Sequence, residues 1–359
     1  MTGRLPDPGF WRGRRVLLTG HTGFKGSWLT TWLQQLDAEV MGVSLPALPT
    51  EPSLWAQLDL AGVHDVRADV ATDSWTAEAR GFSPEVVLHL AAQPIVSVGH
   101  AEPARTFETN VQGTVRVMEL LADLDDLMAT LVVTTDKVYD PDQPAPHTED
   151  HHVGGVDPYS ASKAAAELVV RSWPRTTAPR ATARAGNVIG GGDWADRRLL
   201  PDLVRAWGDG EQVLLRCPQG VRPWQHVLEP LRGYLLYAEA LAAGRDVPPA
   251  LNFGPADGQS VAVAEVVQYA AVQWRHLGGT VPGSGWVAAP HPAFDETPEL
   301  TLDSRLAADR LGWSGAMHWQ DAVTLTLEWY RGVGSGAAAA DMVRGQLASY
   351  TAGILEAPS

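Results

Sequence analysis

Thr134-Thr135-Asp136-Lys137 follows directly on the apolar run Leu131-Val132-Val133 and sets hydroxyl, carboxylate and amine in consecutive positions. Side chains of these types can donate, accept and exchange protons. Twenty residues beyond Tyr139, Tyr159-Ser160-Ala161-Ser162-Lys163 places a phenol and an ammonium four residues apart. If a helix begins there, the two share one face. Leu131-Val132-Val133 is too short for a helix and reads as a buried parallel strand. In open α/β sheets the reacting groups sit beyond the carboxyl ends of such strands.

The elements that must position these groups are visible upstream. Val16-Leu17-Leu18 reads as a first strand running into Thr19-Gly20-His21-Thr22-Gly23-Phe24-Lys25-Gly26, and a helix over 27–36 follows. Gly20 is expected to make the turn, Gly23 to admit a pyrophosphate, and Gly26 to let helix and strand pack closely. Further strands are predicted at 39–44, 66–70, 84–90, 131–135 and 181–188. A long helix is predicted over 101–124 and another over 159–173. This alternation means a doubly wound, Rossmann-type, mostly parallel sheet with right-handed crossovers.

After Asp193 the rhythm weakens. Residues 1–188 are therefore read as a dinucleotide-binding domain, to which strands near 250–256 return. Residues 189–345 form mainly a smaller substrate-binding lobe. The Gly- and Ala-rich stretch 332–340 reads as a flexible join to a short final helix.

Bulk properties narrow the classes. The chain has 359 residues, 45% apolar and 19% charged, with a formal charge of −15. That balance excludes a general affinity for nucleic acid or anionic membrane. No run is long enough for a membrane span and no signal peptide is seen. A single cysteine, Cys217, excludes an internal disulfide framework and fits a cytoplasmic location. His147, His151 and His152 lie in a proline-rich stretch and read as solvated loop histidines, and no metal-ligand set is found.

Taken together, the glycine fingerprint, the threonine at the fifth strand end and Tyr-x-x-x-Lys resemble the extended short-chain dehydrogenase/reductase superfamily. Within it, 20–26, 134–137, 157–163, 183–194 and 221–227 are similar, in order, to blocks of the CDP-glucose 4,6-dehydratases. The resemblance implies NAD as cofactor, a nucleotide-sugar substrate and a homodimer built on the helices at 101–124 and 159–173. It implies that Gly20, Thr22, Gly23, Phe24, Lys25, Gly26, Asp69, Val70, Leu90, Ala91, Ala92, Gln93, Tyr159 and Lys163 hold the cofactor. Gln93, Asn187, Arg216, Arg222 and His226 are implied for the substrate.

The chemistry it implies is oxidation at C4 of the sugar, loss of water across C5 and C6, and hydride return to C6. Tyr159 would take the C4 hydroxyl proton, its pKa lowered by Lys163 and the nicotinamide, with Thr135 bonded to the same oxygen. Asp136 would serve as the acid at C6 and Lys137 as the base at C5. A nucleotide-sugar epimerase uses the same Thr-Tyr-Lys set but needs no acid and amine after the threonine. A dinucleotide-binding sensor that has lost catalysis would not be expected to keep both Tyr159 and Lys163. Two departures bear on cofactor affinity. His21 and Lys25 stand where many relatives have small or aliphatic residues, with His21 expected beside the pyrophosphate path. No acid ends the strand at Val43-Ser44, so NAD is expected to be held less tightly than usual. Departures at 96–100 and 140–147 bear on the sugar.

Overall fold

The computed structural model describes residues 3–174, 178–256, 259–289 and 299–356. At its centre is a seven-stranded sheet of β1 (Arg15–Thr19), β2 (Glu39–Ser44), β3 (His64–Arg67), β4 (Val86–His89), β5 (Ala129–Val133), β6 (Arg180–Ala185) and β7 (Ala250–Phe253). All neighbours pair parallel, in the spatial order β7-β6-β5-β4-β1-β2-β3. Every residue of β4 and β5 is buried. Covered on both faces, these strands read as continuous apolar runs rather than alternating ones. Chain order reverses between β1 and β4, and a ligand crevice opens at the carboxyl ends of strands where such a reversal occurs.

Three helices matter for the crevice. The first, α1 (Phe24–Gln35), buries Trp28, Leu29, Trp32 and Leu33. Its N-terminus opens at the fingerprint. The second, α2 (Gly113–Leu120), is only the last straight part of the predicted 101–124 helix. Pro103 starts a fresh helix after Val96–Ala101, and a π-helical turn at Glu108–Gln112 precedes α2. That turn carries buried Asn110, whose side chain bonds both backbone groups of Gln93 and donates to Ser162 Oγ at 2.8 Å. The third, α3 (Pro158–Ser172), has its start set by local chemistry. Asp157 caps the N–H groups of Tyr159 and Ser160, Ser160 answers the Asp157 backbone, and Pro158 fills the first helical position. Tyr159 and Lys163 are thereby fixed on one helical face.

In the second half, short paired segments replace the βα rhythm. Val188–Ile189 pairs with Gln225–His226, Val213–Leu215 with Trp286–Ala288, and Val221–Arg222 with Val261–Ala262. The final helix, α4 (Ala339–Glu356), is longer than expected. It runs 18 residues and buries Val343, Leu347, Tyr350 and Ile354. Tyr350 meets Trp32 of α1 edge-on at 6.1 Å, so α1 is apolar on two sides because it is covered on two sides. The helix before it ends at Gly334, so the join is shorter than the predicted 332–340. His147 also departs from expectation. It is 3% exposed, stacked on Tyr139 at 4.7 Å, with His151 Nδ1 at 3.2 Å from its own Nδ1. No described helix is long and apolar enough to cross a membrane.

Candidate active site

A cavity of about 850 Å³ opens at the carboxyl ends of the strands, between the sheet and the paired segments of the second half. The fingerprint forms one end. Gly20 has φ +78°, and a Cβ there would lie 2.7 Å from the Ala91 nitrogen. A Cβ on Gly26 would lie 2.1 Å from the Gly20 oxygen, so strand end and helix start meet backbone to backbone. Gly23 is the N-cap of α1 and offers no side chain to its first N–H groups. An uncapped helix start lining a cavity suits a phosphate or pyrophosphate. Thr22, Phe24 and Lys25 line the same wall, as do Asp69 and Val70 after β3 and Leu90, Ala91 and Ala92 after β4.

Two residues near this wall do not face the cavity. Gln93 turns its side chain inward, donating to Thr106 Oγ1 at 2.9 Å and accepting from the Ile95 N–H at 2.6 Å. It shapes the turn rather than lining it. His21 is not beside a pyrophosphate path. Its ring is fully buried, bonded to Asp65 at 2.9 Å and Ser44 Oγ at 3.0 Å, and edge-on to Trp55 at 4.6 Å. The room comes from Gly42 on β2, where a Cβ would fall 2.3 Å from the ring. Burial lowers the His21 pKa against the pull of Asp65.

The polar groups that opened the sequence reading converge. Thr135, Asp136, Lys137, Tyr159 and Lys163 all line the cavity. The Thr135 hydroxyl acts on Tyr159 to lower its pKa, and it donates to Asp136 Oδ1 at 3.0 Å. Lys163 donates to the Val133 carbonyl at 2.9 Å. Asp136 is 2% exposed, and its Oδ2 has no hydrogen-bond partner among the described residues. Burial raises its pKa, against Lys137, the Thr135 hydrogen bond, Arg222 and Lys25. A buried carboxyl of this kind retains its proton to higher pH than an ordinary one.

Burial pushes Lys163 down to about 8, with Glu167 opposing. Lys25 falls to about 7 through burial, then Arg198 and Lys163, against Asp136 and Asp193. For Tyr159 the expected depression is reversed in the chain alone. Burial raises its pKa, outweighing the Thr135 hydrogen bond and the charge of Arg198. The Lys163 ammonium is engaged by the Val133 carbonyl.

The chain has three lysines, Lys25, Lys137 and Lys163, among 27 cationic side chains, and all three line this cavity. Everywhere else the cation is arginine. A buried ammonium can lose its proton near neutral pH, whereas a guanidinium cannot. Scarcity of lysine is therefore a second signal for the site, and it agrees with the place of Lys25 in the fingerprint.

On the opposite wall stand Asn187, Arg216 and Arg222. Arg222 is 4% exposed and donates to the Val221 carbonyl at 2.8 Å. His226 is not with them. It is fully buried, edge-on to Trp28 at 5.7 Å, and its Nδ1 faces the Leu228 N–H at 3.4 Å. Its place is in the packing between α1 and the second half. Asp193 and Arg198, which the sequence reading did not single out, line the cavity, and the charge of Arg198 acts on Tyr159, Lys25 and Asp193.

Gly186 provides a first prediction. A Cβ there would lie 2.9 Å from Asp136 Oδ2 and 2.5 Å from Pro223 Cγ. Gly186→Ala is expected to displace the Asp136 carboxyl and lower kcat by about 10²-fold. Cofactor affinity should be unchanged, because the side chains the added methyl would meet, Asp136 and Pro223, lie outside the glycine fingerprint. Steady-state rates beside a cofactor titration check it.

The sequence model described as the NAD dependent epimerase/dehydratase family matches residues 16–254. A CDP-glucose 4,6-dehydratase of Salmonella typhimurium is 38% identical over 342 residues, covering 90% of this chain and 92% of that protein. A dTDP-glucose 4,6-dehydratase of Xanthomonas campestris is 26% identical over 339 residues, covering 88% and 92%. Among solved structures, DesIV, the dTDP-glucose 4,6-dehydratase of Streptomyces venezuelae with NAD and TYD bound, superposes with a TM-score of 0.76. It is 26% identical, over 88% of this chain and 97% of that one.

Proposed function

The chain belongs to the NAD dependent epimerase/dehydratase family, and on that premise we propose that it dehydrates CDP-glucose to CDP-4-keto-6-deoxyglucose. It is a hydro-lyase that uses NAD and restores it within each turnover. In this reading residues 1–188 hold the cofactor, and residues 189–345 mainly hold the nucleotide sugar. One observation carries it: a buried acid and an amine, Asp136 and Lys137, follow Thr135 into the same cavity as Tyr159 and Lys163. An epimerase has no use for that pair.

The cofactor's fit rests on the glycine cradle, where a side chain at 20 or 26 would strike backbone, and on the uncapped start of α1. When bound, NAD supplies a reversible acceptor for the C4 hydride. The remaining work belongs to the chain. Tyr159 takes the C4 hydroxyl proton, Thr135 holds that oxygen, and Lys163 keeps positive charge on the same helical face. The resulting ketone acidifies C5–H. Lys137 takes that proton and Asp136 gives one to the departing C6 hydroxyl, which leaves as water. Once hydride has reached C6, Lys137 returns its proton to C5. The proton left on Tyr159 balances the one Asp136 gave up. Asn187, Arg216 and Arg222 bind the nucleotide and its pyrophosphate, for which an arginine fork is well shaped.

Two copies would pair through the face that carries Phe107 and Leu168, 40% and 56% exposed on the helices flanking the cavity. Size-exclusion chromatography with light scattering reads that state.

Incubation with CDP-glucose and NAD in deuterated water tests the main reading. A CDP-4-keto-6-deoxy sugar with deuterium at C5 is the expected product, seen by NMR and mass spectrometry. A C4 epimer would instead make the protein an epimerase. Turnover of a different nucleotide sugar alone would overturn the choice of CDP-glucose.

A further inference from the structure

Lys163 is followed one helical turn later on α3 by Glu167, which is 6% exposed. Its carboxylate is fully engaged. It accepts from Thr134 Oγ1 at 2.6 Å, Arg184 Nε at 2.8 Å and Arg184 Nη2 at 2.5 Å. Arg184, on β6, also donates to the Tyr139 hydroxyl at 2.8 Å, and that hydroxyl donates to Asn252 Oδ1 on β7 at 2.7 Å. Thr134 is the residue before Thr135, and Tyr139 follows the turn that carries Asp136 and Lys137. None of these partners lies in the cavity wall except Thr134. One buried, paired lattice thus ties the end of β5, the Asp136-Lys137 turn, α3, β6 and β7.

The cost of such a lattice makes a purely structural account weak. Burying a carboxylate and a guanidinium is repaid poorly, and apolar residues of similar volume often stabilise as well. A negative charge one turn from a buried ammonium has a different use. Desolvation drives Lys163 toward neutrality, and Glu167 is the charge that opposes it.

We propose that Glu167, held by Arg184, is a positioning residue for the reaction: it aligns Thr134-Thr135 with α3 and keeps Lys163 cationic beside Tyr159. The inference rests on the role given to Lys163 in the proposed function. Its test does not depend on turnover.

With only three lysines in the chain, selective ¹³C labelling at lysine Cε gives three side-chain signals, assignable by single Lys→Met substitutions. In the wild type the Lys163 signal should titrate near pH 8. In Glu167→Gln the midpoint should fall by about one pH unit, and in Glu167→Asp, which keeps the charge, it should stay near the wild-type value. The alkaline limb of kcat should move with it in Glu167→Gln, with KM unchanged. Glu167→Gln leaves Arg184 buried against an amide and can fail to fold. The double variant Glu167→Gln/Arg184→Met removes both charges, and the same downward shift is expected there. A folded variant lacking Glu167 whose Lys163 midpoint is unmoved overturns the proposal. A wild type that ignores CDP-glucose while its Lys163 responds as described would overturn the assigned substrate and leave this inference standing.

Discussion

Replacing Tyr159 with Phe is expected to lower kcat with CDP-glucose by about 10³-fold while leaving KM within about twofold. The ring is 8% exposed and sits in the first turn of a helix whose start is fixed by Asp157, Pro158 and Ser160. Phe keeps the ring and the helix, so only the oxygen is lost. With it goes the group proposed to take the C4 hydroxyl proton, while Asn187, Arg216 and Arg222, the residues proposed for the nucleotide, are untouched. Binding therefore persists and the first chemical step fails. Rapid-quench analysis should find unreacted CDP-glucose on the enzyme. A kcat within tenfold of wild type would remove Tyr159 from the role of base.

The pH dependence follows from the same groups, with its sign set by each shift. Burial raises Tyr159 above its ordinary value in the chain alone, so the positive charge of a bound nicotinamide would be needed to bring it down to working pH. Lys163, lowered to about 8, is charged below that pH and loses its charge above it. Asp136, raised by burial, is protonated further up the scale than a surface carboxyl and loses its proton as pH rises through that higher value. Both of these groups fail on the alkaline side. Loss of the Lys163 charge and of the Asp136 proton is therefore expected to lower kcat as pH rises through about 8. Initial rates across buffers of constant ionic strength measure it.

Most of the sheet was legible because its signals are local. β2 was predicted over the residues it occupies, and Gly20, Gly23 and Gly26 announced a strand-to-helix turn through spacing alone. What failed were features set by distant contacts. His21 leaves the phosphate path because Gly42, twenty-one residues on, makes room for its ring, and nothing near His21 says so. His226 stands in a recognisable block, yet its ring packs on Trp28, nearly two hundred residues earlier. The break in the 101–124 helix did have a local sign, Pro103, but the π-helical turn that aims Asn110 at Gln93 and Ser162 had none. His147 looked like a loop residue because its partner, Tyr139, is brought against it only by the fold. The Glu167–Arg184 pair was hidden for a related reason: each residue sits in an unremarkable stretch, and the meaning lies in their meeting beneath Thr134.

Separating the two halves of the elimination is the sharper test of the site. In Lys137→Ala, C4 oxidation should proceed while the C5 proton stays in place. Overall kcat should fall by about 10³-fold, with a 4-keto sugar that retains its C6 hydroxyl found on quenching. In deuterated water that sugar should carry no deuterium at C5. Asp136→Asn should lose a comparable amount of kcat for a different reason. An asparagine can still accept from Thr135 through Oδ1, and its amide nitrogen takes the place of Oδ2, which has no partner among the described residues. The geometry is kept and only the transferable proton is gone. Lys137 can still work on C5, so the quenched 4-keto sugar should exchange its C5 hydrogen with solvent without losing water. The two variants thus accumulate the same sugar and differ in its isotope. If Lys137→Ala still exchanges C5, the base is another group, and Lys25, half-buried in the same cavity and lowered to about 7, is the ammonium to replace next.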